Sequence, residues 1–115
     1  MVSESQLNGN LEYVALASSE GAHVIGGERL DGPAAGYYQR PAVFLGATNQ
    51  MRTSHEEIFG PCVSVIMVGD FDEALSVAND TEFGLSSGIC TSNLKYAREF
   101  KKTQRGGLGD RLIIV

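Results

Sequence analysis

The sequence predicts an α/β fold, a largely parallel sheet with flanking helices, on three observations. Cys62 to Val68 is an almost uncharged run with little apolar/polar alternation, the pattern of a strand buried on both faces. Asp70-Phe71-Asp72-Glu73 follows at once and opens a helix, with Asp70 as cap and Glu73 closing a capping-box-like pair. From Cys62 onward the order is strand-helix-strand-helix-strand, which right-handed crossovers turn into parallel neighbours.

The earlier elements follow from period and punctuation. Residues 5 to 19 predict a helix, because Leu7, Leu11, Val14 and Ala15 recur at helical spacing, with Leu16 and Ala17 widening the apolar face. Gly9 weakens its first turn, and Gly21 is placed to supply a left-handed cap. Ala22 to Ile25 predicts a short strand ended by Gly26-Gly27, and Glu28 to Gly36 a loop rich in Gly, Asp and Pro. Gly26-Gly27 completes no dinucleotide fingerprint. Tyr37 to Leu45 reads as extended, irregular at Pro41, which cannot donate to a ladder. Gly46 to Ser54 reads as a polar connection.

After Cys62 to Val68, the helix opened by Asp70 carries one apolar stripe, Phe71, Ala74, Leu75 and Ala78, and stops at Asn79-Asp80-Thr81. Phe83-Gly84-Leu85 turns into a strand over Ser86 to Thr91. Ser92 is expected to cap a last helix to about Gln104, with Leu94, Ala97 and Phe100 facing the core. Gly106-Gly107 breaks it, and Leu112 to Val115 forms a candidate final strand.

Length and composition narrow the function. A chain of 115 residues predicts one domain, 1–115, with one ordinary core. An apolar fraction of 43% beside 20% charged residues is that of a water-soluble domain. No apolar run approaches the roughly 18 residues of a membrane span, and no signal peptide is evident, so the expected location is cytoplasmic. Net charge is −5, and positive charge gathers only over Lys95 to Arg105, at a helix end where it suits the dipole. Nucleic acid is therefore not an expected partner.

Cys62 and Cys90 are far apart and fit neither a metal spacing nor a disulfide framework. Both lie in predicted strands and read as small buried hydrophobes, not nucleophiles. His23 and His55 show no ligand spacing, so no metal site and no complete catalytic set is predicted.

The stretch around which the chain is organised is His55-Glu56-Glu57-Ile58-Phe59-Gly60-Pro61. Gly60-Pro61 forbids a long helix there and starts a strand. Such a stretch can aim a carboxylate and a ring at one point from a rigid strand. The plain alternative is a solvated acidic pair in front of an Ile-Phe core plug.

That stretch, with three others in the same order, resembles the C-terminal half of the catalytic domain of NAD(P)-dependent aldehyde dehydrogenases. The others are Glu20-Gly21-Ala22 with Gly26-Gly27; Gly36-Tyr37-Tyr38 with Pro41-Ala42-Val43-Phe44; and Asp72-Glu73-Ala74, Ala78-Asn79 and Phe83-Gly84-Leu85. The resemblance covers about Gln6 to Gln104, and residues 105–115 read as a divergent tail of a truncated, frame-shifted or recombined reading frame. Ala78 to Gly88 most resembles the branch acting on semialdehydes of dicarboxylic acids, such as 2-oxoglutarate semialdehyde.

The resemblance implies that Glu57 binds the ribose hydroxyls on the nicotinamide side and that Phe59 packs near the nicotinamide ring, with Glu56 and Pro61 structural. The family's nucleophile context, Gly-Gln-x-Cys, and base context, Glu-Leu-Gly-Gly, do not occur in this sequence. Cys62 and Cys90 therefore inherit no catalytic role. Three readings follow. The chain is an aldehyde dehydrogenase-like piece without dehydrogenase activity or bound cofactor in isolation, or a binding or regulatory module with a weak nucleotide or aldehyde site. Otherwise it is a subunit that a partner completes. A homo-oligomer is expected, with the tail or an open strand edge in the contact, unless the tail folds back as the chain's own last strand.

Overall fold

The computed structural model describes residues 1–32, 35–84 and 86–103, and the backbone of 111–114. Two compact units form, Met1–Met67 and Val68–Val115. The expected helix end at Gln104, the turn residue Leu85, the break at Gly106-Gly107 and Val115 lie outside the described residues.

The first unit begins with α1 (Glu4–Ser19), capped by Ser3, whose side chain accepts from the Gln6 amide. It ends as the glycine predicts. Gly21 adopts φ 103, and the Gly21 and Ala22 amides return to the Ser18 and Ala17 carbonyls, a Schellman closure. The buried face departs from the expected stripe. Leu7, Asn10 and Ala17 are buried, while Ala15 is exposed. Successive steps of three and seven, from Leu7 to Asn10 and on to Ala17, select that face, and it carries a polar residue where the apolar count pointed to Leu11.

β1 (His23–Gly26) pairs antiparallel with β4 (Ala42–Ala47), and β4 pairs parallel with β5 (Cys62–Ile66), giving the order β1-β4-β5. The ladder shifts register between Leu45 and Ala47. Ala22, Ala42 and Phe44 meet Ala17, with Val14, Val24, Met51, Ile58 and Cys62 packed around them, so α1 covers one face of this sheet. The other face is open: Ile25 is 49% and Val63 53% exposed.

This corrects the expectation of a strand buried on both faces. β5 is an edge strand of its sheet, it ends at Ile66, and Met67 is exposed. A run without alternation reflects how apolar both faces are; it does not supply the layer that covers the second one. The Glu28 to Gly36 loop also hides a short strand. β2 (Arg29–Leu30) pairs antiparallel with β3 (Tyr38–Gln39), and the Arg40–Glu28 ion pair at 2.6 Å clamps its base. Pro41 separates β3 from β4, as its missing donor requires. The polar connection contains one helical turn, α2 (Arg52–His55).

The second unit holds α3 (Phe71–Asn79), β6 (Ser87–Cys90), α4 (Leu94–Thr103) and β7 (Arg111–Ile114). Asp70 Oδ1 accepts from the Glu73 amide at 2.9 Å, and the Glu73 carboxylate reaches back to the Gly69 amide at 2.7 Å, one residue before the cap. One orphan donor of the first turn of α3 is thereby satisfied, together with the amide that precedes the cap. Asp70→Ala is expected to lower the stability of the chain by about 1 kcal/mol, and Asp70→Ser by a few tenths. Urea titration of both variants checks this; equal losses would exclude the cap as the cause.

Phe71, Ala74 and Ala78 pack with Phe100, and the Phe71 and Tyr96 rings stack at 4.4 Å with 7° between planes. Asn93, not Ser92, accepts from the first turn of α4, through Oδ1 to the Lys95 amide at 2.9 Å. Leu94, expected in the core, is 76% exposed, because the face that packs is Tyr96 and Phe100, four apart. β6 pairs parallel with β7, so Arg111–Ile114 folds back as a strand of its own unit. This is the second of the two arrangements expected for the tail, and its backbone is engaged there. Cys90 lies in a strand as expected, at the end of β6, but is exposed rather than a small buried hydrophobe.

Candidate functional site

The motif loop, residues 56–61, is fastened to α1 along one helix face. Gln6, Asn10 and Tyr13, spaced four and three apart, all reach it. The Gln6 amide donates to the Phe59 carbonyl at 3.0 Å and to Asn10 Oδ1 at 3.3 Å. Asn10 is fully buried against Gly60, and a side chain on Gly60 would run into its amide. Tyr13 donates to Glu56 Oε2 at 2.7 Å.

Glu56 is also gripped from α2. Arg52 donates through Nε to Oε1 at 2.8 Å and through Nη2 to Oε2 at 3.0 Å, a two-point fork. Arg52 is fixed in turn, since its backbone amide donates to Glu20 Oε1 at 2.9 Å, and Thr53 donates to the other Glu20 oxygen at 3.4 Å. The Arg52 and Tyr13 hydrogen bonds hold the Glu56 carboxyl below the usual carboxylate range. The bond to Glu56 pushes the Tyr13 phenol up. At neutral pH the carboxylate is charged and the phenol retains its proton, the states the contact requires.

The adjacent residues diverge. Ile58 turns inward and packs on the Ala17–Phe44 cluster, so the expected core plug is this residue alone. Phe59 is 77% exposed and adopts φ 53, left-handed backbone in which a bulky side chain is uncommon. Glu57 is exposed, and its carboxylate makes no hydrogen bond or ion pair among the described residues. An unengaged carboxylate stands two residues from an exposed ring on a loop whose other members are tied down. Such a pair suits a ligand carrying adjacent hydroxyls and a flat heterocycle: the carboxylate accepts from the hydroxyls and the ring lies against the heterocycle.

Cys62 is half-buried, receives the Gln39 amide at 3.8 Å, and has its thiol pushed up by burial, the opposite of an activated nucleophile. Among the described residues no three His, Cys, Asp or Glu side chains gather as a metal site. No described helix is long and apolar enough to cross a membrane.

The profile of the Aldehyde dehydrogenase family matches residues 1–108. An alpha-ketoglutarate semialdehyde dehydrogenase of Haloferax volcanii is 44% identical over 110 residues, 93% of this chain and 23% of the relative. An alpha-ketoglutaric semialdehyde dehydrogenase of Bacillus subtilis is 43% identical over 97 residues, 82% of this chain and 20% of the relative. The solved indole-3-acetaldehyde dehydrogenase of P. syringae, in complex with NAD+ and IAA, superimposes with a TM-score of 0.87 at 34% identity. That match covers 99% of this chain and 23% of the solved one. The chain thus spans less than a quarter of the length of these relatives.

Proposed function

Because this chain belongs to the aldehyde dehydrogenase family, we propose that it forms the nicotinamide-ribose side of an NAD(P) site in a larger aldehyde-oxidising assembly. The observation that carries the reading is the unengaged Glu57 carboxylate beside the exposed Phe59 ring on a fastened loop. Glu57 accepts from the two ribose hydroxyls, and Phe59 flanks the heterocycle. NAD(P), when bound, supplies the hydride acceptor. The nucleophile and general base belong to the rest of the fold, outside these 115 residues, since their sequence contexts do not occur here. The open apolar sheet face with Ile25 and Val63 supports such a completed assembly. Two relatives named for alpha-ketoglutarate semialdehyde support that aldehyde class for the whole enzyme. The two free thiols support a reducing compartment, the cytoplasm.

On its own the chain makes too few contacts for tight binding, because phosphate and adenine contacts are not among them. A Kd for NAD of about 1 mM or weaker is expected, roughly 4 kcal/mol, with Glu57→Gln weakening it about tenfold. No NADH is expected from aldehydes with the chain alone. Titration followed by the Glu57 and Phe59 amide resonances reads the first result, and absorbance at the reduced-nicotinamide band the second. Micromolar binding lost in Glu57→Gln would favour a self-sufficient nucleotide module; turnover abolished by Cys62→Ala or Cys90→Ala would restore a catalytic thiol.

A further inference from the structure

Two chemically similar carboxylates stand side by side at Glu56 and Glu57, and extended backbone at Glu56 (φ −99, ψ 149) sends neighbouring side chains to opposite sides. A loop free to rotate about its own axis would present either one. The structure removes that ambiguity. Both Glu56 oxygens are engaged, with three donated hydrogen bonds from two separate elements. Tyr13 reaches from α1 and Arg52 from α2, and Arg52 is itself pinned through its amide to Glu20. Glu57 and Phe59 have no such anchors on their side chains, yet Phe59 keeps a left-handed backbone that is unfavourable for a bulky L-residue. Something outside the residue must hold it.

We propose that Glu56 is a positioning residue, and that the Tyr13–Glu56–Arg52 bracket selects which carboxylate of the pair faces the ligand and fixes the backbone that presents Phe59. The inference rests on the ribose-binding reading of Glu57. The Arg52 anchor is exposed and the Tyr13 anchor half-buried, and an exposed ion pair contributes little to global stability. Losing the bracket is therefore expected to change the direction of the loop and leave the fold standing. That separates positioning from a structural role.

The test uses the full chain and NAD as the probe. Amide resonances of Glu57 and Phe59 are followed in titrations of wild type, Glu56→Gln, Tyr13→Phe, Arg52→Gln, Arg52→Lys and Glu57→Gln, beside a urea midpoint for each. Glu56→Gln and Arg52→Gln are expected to weaken the NAD response about threefold or more, at an unchanged midpoint. Arg52→Lys is expected to recover part of it, because a lysine keeps the charge and lacks the fork. If Glu57→Gln removes the response while Glu56→Gln, Tyr13→Phe and Arg52→Gln match wild type, the bracket is not a positioning device and the ribose reading stands. A collapsed midpoint in both Glu56→Gln and Tyr13→Phe overturns the proposal in favour of a structural role. No response in wild type, or a full response in Glu57→Gln, overturns the ribose reading and the positioning with it.

Discussion

Phe44→Ala is expected to cost about 3–5 kcal/mol, enough to unfold the first unit of a marginally stable chain. Phe44 is fully buried on β4, the central strand of its sheet. Three of the side chains nearest to it are Ala17, Ala22 and Ala42, which have no rotamers with which to fill a hole. The cavity therefore persists, and its cost adds to the lost transfer energy. Phe59→Ala deletes the same ring from an exposed position and is expected to change stability by less than about 0.5 kcal/mol. The two variants are expected to reverse order in NAD titration, provided the chain remains folded in the assay. Urea denaturation measures the first contrast. A loss below about 1 kcal/mol for Phe44→Ala would mean that the α1 face of the sheet is not the core.

The difference between those two phenylalanines marks how far the sequence was legible. Local signals were reliable where the cause is local. Gly21 closes α1, Asp70 caps α3 and Pro41 divides β3 from β4, each through a backbone requirement of the residue itself. Whether a face is covered is not a local property. Val63 and Leu94 sit in apolar patterns and yet stand exposed, because what would cover them is set by other parts of the fold. The short pairing of Arg29–Leu30 with Tyr38–Gln39 was invisible for a similar reason: two-residue strands carry no period.

The candidate site shows the same division. The stretch was legible as one that can aim a carboxylate and a ring, but the choice of Glu57 and Phe59 came through the resemblance of their motif, and both are exposed on one loop. The residues that fasten the loop were missed. Gln6, Asn10 and Tyr13 lie more than forty positions from it, and their common helix face at spacing four and three was obscured by the apolar residues between them. Arg52 and Glu56 form an i,i+4 pair that could have been read from the sequence, although α2 itself was read as a connection. Asn10 carried the least signal of all, a polar residue inside an apolar helix face, explained only by what lies opposite.

Gly60 lies opposite, and Gly60→Ala is the second change with a large expected effect, about 1–3 kcal/mol of lost stability. An added methyl would overlap the Asn10 side chain, approaching its Cγ to 2.6 Å and its Oδ1 to 2.9 Å. Asn10 cannot give way easily. It is fully buried, its Oδ1 accepts from Gln6, and its Nδ2 points to the Met1 sulfur at 3.3 Å. The strain is therefore expected to pass into the loop, moving Phe59 and weakening the NAD response along with stability. The pair gives its own control. Asn10→Ala removes the obstacle and opens a void, at a cost from lost buried hydrogen bonds. In the double variant the new methyl occupies part of that void. The double is expected to be more stable than the sum of the two single losses by about 0.5–3 kcal/mol, the range of coupling between residues in contact. Strict additivity in a urea double-mutant cycle would show that the Gly60–Asn10 approach does not hold the loop to α1.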